Sequence, residues 1–142
     1  MKKRMIREFT EDGLMILFDD NGMRVYEGGF EGDMMKGFVR EGEGTEYGIN
    51  GKSALYVGGW KNGKREGYGS EFKGLNPVYI GEWKNGMKHG IGKELNEKEV
   101  VRKGRWIEGV YEDAIKRFED GYGNDLSVFD IDCLKVIERV EI

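Results

Sequence analysis

The side chains best suited to covalent or acid–base chemistry are scarce: the 142-residue chain has one histidine, His89, and one cysteine, Cys133. A thiolate nucleophile needs a base within hydrogen-bond reach and a third group to orient that base. Here the two candidates lie far apart in sequence and no third member offers itself. His89 falls in a turn position of a repeat, where a solvated imidazole is ordinary, and Cys133 reads as a small apolar residue of the tail. Zinc sites want several Cys or His at short spacing, which the chain lacks, so no metal or cofactor is expected. Gly42-x-Gly44, Gly67-x-Gly69 and Gly90-x-Gly92 look superficially like phosphate loops, but none has the third glycine or the following Lys-Ser/Thr. Acid pairs such as Asp19-Asp20 and Glu112-Asp113 sit in a turn and at a helix start, where acids are expected anyway. No catalytic residue is assigned, and the chain is expected not to be an enzyme.

What does recur is a phrase of rings and glycines. It runs Tyr56-Val-Gly58-Gly-Trp60-Lys-Asn-Gly63-Lys-Arg-Glu-Gly67-Tyr-Gly69, then Tyr79-Ile-Gly81-Glu-Trp83-Lys-Asn-Gly86-Met-Lys-His-Gly90-Ile-Gly92. A looser copy precedes it at Tyr26-Glu-Gly28-Gly-Phe30, and a truncated one follows at Val101-Arg-Lys-Gly104-Arg-Trp106. Tyr56 and Tyr79 are 23 positions apart, and Tyr79 and Val101 are 22, a period that suits one hairpin per unit. Tyr56, Gly58 and Trp60 alternate with Val57, Gly59 and Lys61, placing the rings on one face of a strand. Asn62-Gly63 and Asn85-Gly86 are tight-turn signals, because both residue types tolerate positive φ. Glycine weakens a strand, so glycine at fixed strand positions needs a packing reason: the missing Cβ leaves bare backbone for a neighbouring ring, and Gly→Val at Gly58 or Gly81 should clash. The first unit is longer, and residues 32–40 read as an enlarged hairpin turn.

The pattern Tyr-x-Gly-x-Trp-x-x-Gly-x-x-x-Gly-x-Gly resembles the MORN (membrane occupation and recognition nexus) repeat, closely in the units beginning at Tyr56 and Tyr79 and partly at Tyr26 and Val101. Phe30 stands where the motif has Trp, and Val101 where it has Tyr. Upstream, Gly13-Leu-Met-Ile-Leu-Phe18-Asp-Asp-Asn-Gly22 looks like the second strand of a half unit and its connector. The resemblance implies a mainly β fold: a single elongated antiparallel sheet of tandem hairpins over residues 1–110, with units near 13–25, 26–48, 56–78, 79–100 and 101–110. Residues 111–142 are expected to add a short amphipathic helix and a terminal strand or cap. The helix is read from the apolar spacing of Val110, Tyr111, Ala114, Ile115 and Phe118, with Gly121 as its stop. The tail from Phe129 to Ile142 spaces its apolar residues like the opening of a leucine-rich repeat.

Length and composition fit one small domain. The longest apolar run, residues 14–18, is far below the ~20 residues of a membrane-spanning helix; the basic start lacks the apolar stretch of a secretory signal; and a lone cysteine suits a reducing compartment. A cytoplasmic location is expected, with cytoskeletal or membrane association as a variant. Charge is uneven: residues 1–51 carry 7 basic and 11 acidic side chains, residues 52–105 carry 12 and 6, and residues 106–142 carry 4 and 10. The basic excess coincides with the best repeats, and Lys61, Lys64, Arg65, Lys84, Lys88 and His89 would form a ridge along one sheet edge, able to attract anionic lipid headgroups.

The rings Tyr26, Phe30, Tyr56, Trp60, Tyr79, Trp83 and Trp106 either line a groove that receives a peptide or helix or form the core of a thin fold whose units cannot bury their own apolar faces. The resemblance implies an adaptor acting through protein contact, with dimerisation, anionic phospholipid binding or a regulatory place beside a catalytic domain as alternatives. A protein partner is favoured over lipid because the net charge of −4 opposes general adhesion to an anionic bilayer; nucleic acid is not expected.

Overall fold

The computed structural model describes residues 5–112. They form one ten-stranded antiparallel sheet in which every strand pairs with its neighbours in sequence. The strands are β1 (Ile6–Phe9), β2 (Met15–Phe18), β3 (Arg24–Asp33), β4 (Gly37–Tyr47), β5 (Ala54–Lys61), β6 (Lys64–Lys73), β7 (Asn76–Lys84), β8 (Met87–Asn96), β9 (Glu99–Ile107) and β10 (Val110–Glu112). The fold is the single open sheet of hairpins that the repeat implies. The expected amphipathic helix beyond residue 112, the leucine-rich-repeat-like tail and Cys133 lie outside the described residues.

Register is set by a row of glycines. Gly28, Gly44, Gly58, Gly69, Gly81, Gly92 and Gly104 stand directly opposite one another on seven successive strands. The backbones in this row approach so closely that a Cβ on Gly81 would meet the Gly92 Cα at 2.5 Å, nearer than carbon atoms can pack. The packing reason for strand glycine is thus twofold: glycine faces glycine, and rings lie over the row.

The turns at one end of the sheet are the Asn-Gly pairs, with Asn62 and Asn85 both at φ 52°, the left-handed region that asparagine tolerates. At this end the repeats also lock together. The Gly63 N–H donates to the Arg40 carbonyl at 3.0 Å, that of Gly86 to Arg65 at 3.0 Å, and that of Gly109 to Lys88 at 2.8 Å. Beside them, the Asn62 and Asn85 N–H groups donate to the carboxylates of Glu41 and Glu66 at 3.0 and 2.9 Å.

Three local expectations change. Residues 32–40 are not an enlarged turn: β3 and β4 simply extend, Gly32 pairs with Phe38, and the turn is only 34–36. Asp33 closes it by accepting the N–H groups of Met35 and Lys36. Residues 6–9 form β1, an edge strand with no counterpart in the sequence reading, held by the Phe9 ring at 5.1 Å from both Phe30 and Phe38. Val110–Glu112 begins no helix; Tyr111 sits opposite Trp106 in β10, its ring 4.9 Å away.

Candidate interaction surface

On one face, here the ring face, a second row runs beside the glycines. Tyr26, Glu46, Tyr56, Glu71, Tyr79, Glu94 and Arg102 are successive cross-strand partners. Each tyrosine leans along its strand over the glycine row and donates its hydroxyl to the carbonyl three residues on: Tyr26 to Gly29 at 2.7 Å, Tyr56 to Gly59 at 3.0 Å, Tyr79 to Glu82 at 2.9 Å. The tryptophans of the next position brace the row from the other side, Trp60 Nε1 donating to the Gly44 carbonyl and Trp83 Nε1 to that of Gly69, both at 3.1 Å. The result is a continuous edge-to-face ladder, Tyr26–Trp60–Tyr56–Trp83–Tyr79–Trp106, with centroids 5.1 to 5.4 Å apart.

The ladder is sealed. Tyr26, Tyr56 and Tyr79 are wholly buried, and Trp60, Trp83 and Trp106 nearly so. Burial pushes the Tyr26 hydroxyl up to about 12, although the Arg40 charge pulls the other way. Burial likewise raises Tyr56 against the pull of Arg65, and raises Tyr79 with help from Glu82.

What seals the rings is a layer of long cations. Arg40 lies over Tyr26 and Trp60 at 4.8 and 4.9 Å, Arg65 over Tyr56 and Trp83 at 4.6 and 5.0 Å, Lys88 over Tyr79 at 5.0 Å, and Arg102 over Tyr111 at 5.1 Å. Carboxylates of the tyrosine row fix them. Glu46 bridges Arg40 and Arg65 at 3.5 and 2.9 Å, Glu71 takes the other side of Arg65 at 2.9 Å, and Glu94 bridges Lys88 and Arg102 at 3.3 and 2.8 Å. Tyr, Trp, cation and carboxylate each recur on every second strand, over a glycine row that runs through β3 to β9. Residues 56–72 and 79–95 match the family model of the MORN repeat. The two matched MORN units are β5–β6 and β7–β8, the stretches where the ladder is most regular. No curated protein matches the chain.

The sequence-derived candidates divide on this geometry. Tyr26, Tyr56, Trp60, Tyr79, Trp83 and Trp106 are brought together, but as the packed interior beneath the cations. Phe30 is half-buried, in ring contact with Phe9 and Phe38 where Phe30 and Phe38 pack against the same core. Of the basic positions, Lys61, Lys64 and Lys84 stand exposed at the turns, whereas Arg65 and Lys88 fold back over the ladder. His89 occupies the place that Glu41 and Glu66 hold in earlier units, its Nδ1 accepting the Glu108 N–H at 3.3 Å. Sequence reasoning missed Arg40, Glu46, Glu71, Glu94 and Arg102. A signal for most of them existed: Arg40–Glu46, Arg65–Glu71 and Lys88–Glu94 are each a cation followed six residues later by a glutamate. Among the described residues no group of His, Cys, Asp and Glu could hold a metal ion.

Proposed function

We propose that the chain is a non-catalytic adaptor that binds a protein partner, a peptide or a helix, across the ring face of its MORN array. The observation that carries this reading is the cation–carboxylate lattice of Arg40, Glu46, Arg65, Glu71, Lys88, Glu94 and Arg102, repeating every two strands over a rigid ring ladder. Two strand spacings are about 10 Å, so the face offers charges of both signs at a regular interval, suited to an extended partner with alternating charge. Fixed, partly desolvated charges give register and specificity more than bulk adhesion. Lipid binding is the weaker alternative, because two of the six basic candidates are spent in the lattice and the exposed lysines at the Asn-Gly turns are Lys61, Lys64 and Lys84.

The test compares two variants of the full chain with native circular dichroism. Glu46→Gln with Glu71→Gln and Glu94→Gln should lower recovery of a defined partner at least tenfold and leave sedimentation with phosphatidylserine vesicles unchanged. Lys61→Ala with Lys64→Ala and Lys84→Ala should leave partner recovery intact. Strong, salt-sensitive vesicle binding abolished by the lysine variant would replace the protein reading with the lipid one.

A further inference from the structure

The first hairpin builds the ring face differently from the two matched units. Phe30 stands at the position that Trp60 and Trp83 hold later, and phenylalanine has no indole N–H to donate to a strand carbonyl as they do. β3 and β4 run on beyond it through the pairs Glu31–Val39, Gly32–Phe38 and Asp33–Gly37, whereas β5 and β6 turn after the single further pair Lys61–Lys64. The extension adds Phe38 to the ring face, and β1 brings Phe9 beside it. The three rings touch one another, with centroids 5.1 Å apart for Phe9–Phe30 and Phe9–Phe38 and 5.8 Å apart for Phe30–Phe38. Unlike the ladder, they are not sealed: Phe9 is 48% exposed, and Phe30 and Phe38 are half-buried.

The cations beside this patch are short of carboxylates. Arg65 is held by two, Glu46 and Glu71, both at 2.9 Å. Arg40, the cross-strand partner of Phe30, has only a share of Glu46, at 3.5 Å. The strand on the far side of Tyr26 supplies no second one, because Leu17 stands opposite Tyr26 where Glu71 and Glu94 stand opposite Tyr56 and Tyr79. Arg7, in turn opposite Leu17, is exposed, lies over the Phe38 ring at 5.5 Å and forms no ion pair among the described residues. Burial on the three rings favours an apolar side chain, the unspent positive charge favours carboxylates, and a basic segment would be repelled. We propose that Phe9, Phe30 and Phe38 form the anchor site for the partner, taking an aromatic or aliphatic side chain from an acidic segment whose carboxylates pair with Arg7 and Arg40. The proposal rests on the reading of the ring face as an adaptor surface and fixes which end of the array holds the partner's acidic, apolar-centred segment.

Selection of a random peptide library on the immobilised full chain, followed by fluorescence anisotropy of the enriched peptide, tests the site. Enriched sequences should set acidic residues around an aromatic or aliphatic one. Phe9→Ala and Arg7→Glu should each weaken the enriched peptide at least tenfold, and so should replacing its carboxylates by amides on the unchanged chain. Arg7→Glu and the amide peptide together should cost little more than either alone, because both remove one charge pairing. Should Phe9→Ala lose its sheet spectrum, Arg7→Glu, at an exposed position, carries the refutation without touching a ring. Failure to enrich acidic sequences, or an enriched peptide whose affinity neither variant changes, would overturn the anchor site. If Glu46→Gln with Glu71→Gln and Glu94→Gln still weakens that peptide, the adaptor reading outlives the anchor; if it too has no effect, both fall. Sedimentation with phosphatidylserine vesicles that Arg7→Glu abolishes, with no acidic peptide enriched, would make the patch a lipid contact and overturn the proposal.

Discussion

Gly69→Ala is the sharpest test of the ring-over-glycine packing. Gly69 lies in the middle of β6, and a Cβ built there would come within 2.6 Å of the Tyr56 Cε2 and closer still to Cζ and the hydroxyl. One methyl group therefore forces a whole ring to move. The Tyr56 ring holds one hydrogen bond to the Gly59 carbonyl and two edge-to-face contacts, with Trp60 and Trp83. The hydrogen bond is worth about 1 kcal/mol, each aromatic contact about 0.5–1.5 kcal/mol, and overpacking alone costs about 1–3 kcal/mol. Since the ring need only shift, not leave, a loss of about 3 kcal/mol is expected by urea denaturation of the full chain. The double variant with Tyr56→Ala separates clash from propensity: removing the ring costs about 3–5 kcal/mol by itself, but Gly69→Ala added to it should then cost under ~1 kcal/mol. A single-variant cost below ~1 kcal/mol, or full additivity with Tyr56→Ala, would refute the packing argument.

Tyr56→Phe, which leaves the ring but removes the hydroxyl that the half-buried Gly59 carbonyl accepts from, should cost about 1 kcal/mol in the same assay. Arg65→Ala removes a guanidinium that covers Tyr56 and Trp83 and pairs with Glu46 and Glu71; it should destabilise by about 2 kcal/mol and increase quenching of tryptophan fluorescence by iodide. Asn85→Ala places a β-carbon residue without asparagine's tolerance at φ 52° and should cost about 1 kcal/mol, whereas Asn85→Gly should be close to neutral. Tyr26, Tyr56 and Tyr79 have hydroxyls raised above the ordinary phenol value near 10 by burial, Tyr26 to about 12. The folded chain keeps protons there that the unfolded chain loses, so stability is full below pH 10 and declines as pH climbs toward 12 and beyond, by at most about 1.4 kcal/mol per pH unit per tyrosine. Tyrosinate absorbance and loss of near-ultraviolet circular dichroism should therefore rise together; ionisation of these tyrosines with the ladder intact would contradict their burial.

The hairpin array was legible because its signals are local. Alternation in Tyr56-Val-Gly58-Gly-Trp60 marks a strand face, Asn-Gly marks a turn, and the 23-residue period fixes how one hairpin meets the next. β1 escaped because Ile6-Arg-Glu-Phe9 is short, exposed and half charged, and is held by Phe30 and Phe38, a contact no local pattern announces. The choice between groove and core for the rings could not be settled locally either. Whether a ring in a one-layer sheet is wet depends on what crosses above it, and that is decided by Arg40, Arg65 and Lys88, whose sequence positions look like ordinary solvated turn ends.

Those three residues also explain how the ring face of the described sheet holds its shape. Arg40 accepts the Gly63 N–H through its carbonyl while its side chain covers Trp60. Arg65 does both for the next unit, with Gly86 and Trp83. Lys88 continues the backbone half of the pattern to Gly109 and turns its own side chain onto Tyr79. One residue per unit thus anchors the next turn by its backbone and covers rings by its side chain, so nearest-neighbour coupling, the usual source of stability in repeat arrays, runs through the same residues that display the charges. A partner binding those charges would act directly on the contacts between units. The stiffness of the array and its recognition surface are therefore consequences of one set of interactions, and a variant that loosens the first cannot leave the second untouched.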